Sequence, residues 1–141
     1  MTDQTLSTSR LSDLMYTPVT TVHQFMAKAE IQPILPEPAP NGCARQFDER
    51  QSLLMMLAAD MVRSGMKFPL AARWACRIAE QLLFEPEAPR VHIEFRRNGA
   101  LFCFTSDDAP EAADAAGPAR FRTTFDLNAY RAAFRAALTD A

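Results

Sequence analysis

Two helices are written into residues 44–81, ARQFDERQSLLMMLAADMVRSGMKFPLAARWACRIAEQ, with their start and stop signals in place. Asp48 is a good N-cap, and Gln51 three residues later completes a capping box. Leu53, Leu54, Leu57 and Met61 then recur at helical spacing. Gly65 stands where a left-handed residue ends a helix. Pro69 suits the first turn of the next helix, because its missing N–H has no partner there anyway. Leu70, Trp74, Ile78 and Leu82 continue the apolar stripe. Arg63, Lys67, Arg73 and Arg77 decorate the pair. Arg73 and Arg77 are four apart and share a face, where they meet phosphate or simply solubilise the helix.

A helical hairpin alone is most often structural, so its surroundings matter. Residues 1–7 are polar and expected to fray. Residues 8–15 predict a short helix with Leu11, Leu14 and Met15 inward. Tyr16, Thr17 and Pro18 make a turn, and residues 20–29 predict a second helix with Val22, Phe25 and Met26 on one side. Thr21, His23, Gln24 and Lys28 fall largely on the other. Two short helices across a turn form a helix-turn-helix, and both need the later pair to pack on. Residues 31–42, IQPILPEPAPNG, carry four prolines, which predicts neither helix nor central strand. Asn41-Gly42 is a turn signal, so the segment reads as an irregular arm, a tight turn and a return strand over 43–47. The alternative is a rigid Pro-rich connector that covers the core.

The order of these parts resembles the winged helix-turn-helix of the MerR family. The carriers are Arg45-Gln46-Phe47 before an acidic cap, the Leu-rich helix, Ser64-Gly65-Met66, and a Pro-Leu-Ala-Ala helix start. The run Thr21-Val22-His23-Gln24-Phe25-Met26 is similar to the family's Thr-Leu-Arg-aromatic-aromatic-Glu, with His23, Gln24 and Met26 as the departures. The resemblance covers roughly residues 8–83. It implies a bacterial or phage-type regulator whose second helix enters the major groove and whose wing reaches backbone or minor groove. Thr20, Thr21, His23, Gln24 and Lys28 would then meet the groove, and Arg45 would anchor phosphate. Gln reads adenine in a bidentate way, and Thr contacts a thymine methyl or a phosphate. The competing reading of Thr21, His23 and Gln24 is a solvated helix face.

Beyond residue 84 the chain changes character. VHIEFRR and ALFCFT alternate on either side of Asn98-Gly99, which predicts a two-residue hairpin turn. That turn pairs Phe95 with Phe102 and Ile93 with Phe104. It puts Val91, Ile93, Phe95, Phe102 and Phe104 on one face, and His92, Glu94, Arg96, Leu101 and Cys103 on the other. Residues 107–119, DDAPEAADAAGPA, are expected to be a mobile acidic loop. Residues 120–125 alternate again as a third strand, and Asp126 caps a final helix with Leu127, Tyr130, Phe134 and Leu138 inward. The division expected is therefore a winged helix-turn-helix over 1–84 and a small ββ–loop–βα unit over 90–141 for dimerisation or partner contact.

The formal net charge of −2 argues against a strongly electrostatic nucleic-acid binder, although much of the acid sits at Asp107, Asp108, Glu111 and Asp114. Cys43, Cys76 and Cys103 form no Cys-x-x-Cys pair, and His23 and His92 are isolated, so no metal site is expected. Phosphate-loop, zinc-protease and serine-hydrolase motifs are missing. The hairpin register above would set His92 and Cys103 on one face, the arrangement a Cys–His nucleophile needs. Two side chains on a partly buried sheet face is the better reading, and neither an enzyme nor a cofactor is expected. No apolar run is long enough to span a bilayer and the start lacks a signal pattern, so a cytoplasmic protein without membrane contact is the default. The fold expected is α+β: a four-helix winged helix-turn-helix with a Pro-rich wing, then a β-hairpin, a third antiparallel strand and a C-terminal helix. The function expected is sequence-specific duplex DNA binding by a homodimer. The alternative is a protein-interaction module that uses the C-terminal sheet and the Pro-rich arm.

Overall fold

The computed structural model describes residues 4–38 and 45–140. The chain is mixed α+β, with two small antiparallel sheets. It divides into two compact units, Met1–Cys76 with Ala129–Ala141, and Arg77–Asn128. The division expected between 84 and 90 is therefore displaced. The second half of one helix groups with the sheet, and the C-terminal helix from Ala129 groups with the first unit.

In the first unit the N-terminal stretch is not simply frayed. β1 (Leu6–Ser7) pairs antiparallel with β2 (Gln46–Phe47), Leu6 opposite Phe47. Both of those side chains are buried, which supplies the reason for the pairing. Ser7 then caps α1 (Thr8–Leu14), its Oγ accepting from the Arg10 N–H at 3.2 Å. The chain turns at Tyr16, whose φ of 50° is left-handed. The Arg63 guanidinium holds that turn by donating to the Met15 carbonyl. α2 (Val19–Met26) follows, with Val22 and Met26 buried and Phe25 stacked on Phe68 at 4.5 Å.

The proline-rich stretch was expected to be irregular throughout, yet Ala29–Ile34 forms a 3-10 helix that contains Pro33. So short a helix loses at most one bond to a proline, and Ile31 and Ile34 gain burial from it. The turn Asn41-Gly42 and the first two residues of the expected return strand, 43 and 44, lie outside the described residues.

α3 (Glu49–Arg63) has the predicted capping box. The Gln51 N–H donates to Asp48 Oδ1 at 2.7 Å, and the Asp48 N–H donates to Gln51 Oε1 at 3.0 Å. Its end is a Schellman motif. Gly65 has φ 107°, the Met66 N–H donates to the Met61 carbonyl, and the Gly65 N–H donates to the Val62 carbonyl, both at 3.0 Å. Residues 52–59 of α3 are all buried, so this helix forms the centre of the unit. α4 (Phe68–Phe84) contributes Ala71, Ala72, Trp74 and Ala75 to the same core.

α5 (Leu127–Thr139) brings Phe134 into that unit and is tied to it by polar contacts. The Tyr130 hydroxyl donates to Asp60 at 2.7 Å, and Arg135 forks onto Glu49 at 2.9 and 3.2 Å. Arg10 of α1 donates to the Ala137 carbonyl and to that of Asp140, satisfying acceptors that a helix end leaves open.

In the second unit, β3 (Arg90–Arg96), β4 (Leu101–Phe104) and β5 (Ala119–Asp126) form an antiparallel sheet in the order β4-β3-β5. The hairpin is present, but its register differs by one from the expected one. Phe95 faces Leu101, Glu94 faces Phe102, Ile93 faces Cys103, and His92 faces Phe104. The cause is the turn. The Gly99 N–H donates to the Arg96 carbonyl at 2.9 Å, the Arg96 N–H donates to the Ala100 carbonyl at 3.0 Å, and Gly99 has φ 87°. Asn98-Gly99 is thus part of a three-residue loop that ends in a left-handed glycine. A one-residue slip reverses every side chain of β4. Leu101 and Cys103 join Ile93 and Phe95 on one face, and Phe102 and Phe104 join His92 and Glu94 on the other.

Candidate functional site

The predicted groove residues lie on one helix. On α2, Thr20, His23 and Gln24 are exposed and Thr21 is half-buried, while Val22 and Met26 point inward. Lys28 follows just past the helix end, exposed. The helix starts at Pro18 with no side-chain cap, so no capping side chain accepts from the first N–H groups of α2. Gln32 secures the other end by donating to the Met26 carbonyl.

Arg45 reaches the same place by a different route. The β1–β2 pairing sets Arg45 beside the start of α1. A cleft of about 590 Å³ is lined there by Ser7, Thr8, Ser9, Val19, His23, Met26, Ala27 and Arg45. Among the described residues, Arg45 Nη1 is shielded from solvent and makes no hydrogen bond. A shielded guanidinium N–H without an acceptor is costly, and an anion entering the cleft would relieve it. The described residues that line the cleft include no carboxylate. The chain carries none between Asp13 and Glu30 either, so α2 itself bears no acid despite the net charge of −2.

The structure does not bring the other two predicted arginines to this cleft. Arg73 stands exposed on α4 and is not among the lining residues. Arg77 belongs to the second unit, where it donates to the Leu101 carbonyl at 3.5 Å.

A second polar cluster, on the sheet, was not singled out from the sequence. The Glu94 side chain is 1% exposed and lies between two guanidiniums, Arg96 in close contact and Arg122 at 2.7 Å. Residues 106–118 close over this face. They form a 3-10 helix, Glu111–Ala116, in place of the expected mobile loop. Ala113 and Ala116 are buried. Arg122 donates to the Asp107 carbonyl at 2.9 Å, Arg96 to the Gly117 carbonyl at 3.2 Å, and the Asn98 N–H to the Ala116 carbonyl at 3.2 Å. Strand alternation could have flagged the set, because His92, Glu94, Arg96 and Arg122 recur with period two.

His92 is buried in that face. Its Nδ1 meets the Thr124 hydroxyl at 2.8 Å, and its ring packs on Phe104. Burial holds its pKa below the ordinary 6.5, helped by Arg122 and Arg90 and opposed by Asp107 and Glu94. The unfolded chain therefore takes up this proton first as pH falls. The contribution of neutral His92 is complete above about pH 6.5 and is lost as pH falls through the lowered folded value. Acidification from about pH 7 to about pH 5 is expected to destabilise the sheet unit more in the native chain than in His92→Gln, read by urea denaturation. Equal pH slopes would contradict this.

The slipped register also separates His92 from Cys103, which lies opposite Ile93 on the other face. Burial pushes the Cys103 thiol up to about 11, with Glu80 adding to the rise and Arg77 opposing it. A thiol so placed is a poor nucleophile. Among the described residues, no group of three His, Cys, Asp or Glu is placed to hold a metal ion, and no helix is long and apolar enough to cross a membrane. No family model matches the chain, and no curated protein matches it.

Proposed function

We propose that the chain is a sequence-specific duplex-DNA-binding regulator that reads the major groove with α2 and reaches the phosphate backbone with Arg45. One observation supports this reading: His23, on the outward side of α2, and the Arg45 Nη1 that lacks a hydrogen-bond partner line one cleft, and the described residues around it include no carboxylate. The α1–turn–α2 arrangement fits a helix-turn-helix, with β2 as the base of a wing. Thr20 and Thr21 stand at the uncapped start of α2, where helix termini receive phosphate. His23 and Gln24 lie about one turn further, on the face that would meet base edges. Lys28 would contact backbone beyond the helix. Arg73, exposed on α4, would add a phosphate contact, whereas Arg77 is engaged with the Leu101 carbonyl.

Selection from a random duplex pool tests the reading. The expected result is enrichment of one short half-site, with Gln24→Ala relaxing preference at a single base pair by about 1–3 kcal/mol. Recovery of an unenriched pool would refute it. The exposed edge of β5 favours the second reading, a protein-contact role, for the C-terminal sheet. The two roles belong to different units and are compatible.

A further inference from the structure

The crossover from β4 to β5 is far longer than the distance it covers. The two strands flank β3, so residues 105–118 pass over the sheet to join them. Phe104 faces His92 and Ala119 faces Arg96, which sets the ends of the crossover two strand spacings apart and four residues apart along β3. That separation is about 16 Å, whereas residues 105–118 in extended form reach roughly 45 Å. The strap has the slack to leave the face while both strands stay paired.

It is held there lightly. Asp107 meets Arg90 at 3.4 Å and His92 at 3.8 Å, and Asp114 meets Arg96 at 4.0 Å. The Asp107 and Asp114 side chains are 78% and 84% exposed, and ion pairs so solvated contribute little. Its hydrogen bonds to the rest of the sheet unit are at its ends, through the carbonyls of Asp107, Ala116, Gly117 and Pro118. Between them, over 108–115, only Ala113 is buried.

The face beneath is left incompletely partnered. Arg96 Nε and His92 Nε2 are buried and make no hydrogen bond among the described residues. A buried guanidinium N–H without an acceptor is costly, and phosphate oxygens are the acceptors that suit it. Arg90, Arg96 and Arg122 share this face with Phe102 and Phe104, two apart on β4. Arg122 lies over the Phe104 ring at 5.0 Å, and Phe102 is half-exposed. Rings set among guanidiniums suit unstacked bases strung on phosphate. A duplex hides its base faces, and an acidic peptide makes no use of the rings. The strap itself carries Asp107, Asp108, Glu111 and Asp114, which reproduces the charge of such a strand without its bases.

We propose that this face of the sheet binds single-stranded nucleic acid, and that residues 106–118 are an acidic strap that occupies it until the strand displaces them. The face lies in the sheet unit, so the proposal does not rest on duplex reading by α2.

The test is fluorescence anisotropy with a labelled oligothymidine, using the full chain with Lys28→Glu and Arg45→Glu in place to remove the contacts assigned to duplex DNA. Adding Asp107→Asn with Asp114→Asn is expected to tighten binding roughly tenfold, because the strap loosens and two repelling charges go. Phe102→Ala on top of these is expected to weaken binding about fivefold or more, the loss of one stacked base. Amide exchange over 106–118 is expected to quicken as the oligonucleotide binds, while exchange in β3 slows. No tightening by the Asp107 and Asp114 changes, indifference to Phe102→Ala, or a strap whose exchange does not quicken would overturn the proposal. Equal displacement of the oligonucleotide by polyglutamate would also overturn it, and would assign the face to acidic peptides.

Discussion

Reversing charge at Lys28 and Arg45 together is expected to lower affinity for duplex DNA roughly a hundredfold near 0.1 M salt, with the fold intact. The magnitude follows from counterion release. Each phosphate contact contributes a slope of about 0.9 in log affinity against log salt, which is close to tenfold in affinity at that concentration. Losing two contacts should also flatten the slope by roughly 2. The fold should survive because Lys28 is exposed and Arg45 makes no hydrogen bond through Nη1 among the described residues. Gln24→Ala should behave differently. It should leave the salt slope alone and reduce discrimination between sequences, because a base contact carries little counterion release. If both variants shift the slope equally, the division of labour between helix and arm is wrong.

Glu94→Ala is expected to destabilise the sheet unit by about 3–5 kcal/mol. Glu94 is the shared ion-pair partner of Arg96 and Arg122, and the Arg96 side chain is only 10% exposed. Without the carboxylate, Arg96 keeps the Gly117 carbonyl at 3.2 Å and Asp114 at 4.0 Å. That leaves most of a buried cation uncompensated. Replacing Glu94 and Arg96 together by Leu and Met should recover much of the loss, because an apolar pair needs no partner. The measurement is amide exchange in β3 with urea denaturation. A loss under about 1 kcal/mol for Glu94→Ala would mean that water reaches the cluster easily.

The parts of the chain that were legible in sequence were those governed by local rules. The Asp48–Gln51 box, the Gly65 stop and the first-turn Pro69 depend on neighbours within a few positions, and the structure carries all three. The outward face of α2 followed from helical period alone. The misplaced features depend on distant partners or on near-degenerate turns. β1 is two residues long and exists because Leu6 meets Phe47, some forty positions away. Asn98-Gly99 suits both a two-residue and a three-residue hairpin loop, and the choice reversed β4. The acidic stretch after Ser106 lacks large apolar residues, yet small ones sufficed, because Ala113 and Ala116 pack where nothing larger is needed. The Arg45 cleft could not be seen in advance for the same reason as β1: the strand pair that makes it joins distant segments.

The central claim is duplex recognition through α2 and Arg45, and a salt titration of binding tests it most directly. Fluorescence anisotropy with sheared duplex DNA should give log affinity falling linearly with log salt, with a slope of several phosphate contacts. Lys28→Glu with Arg45→Glu should lower both affinity and slope. No binding even at the lowest salt, or binding untouched by that double reversal, would contradict the account.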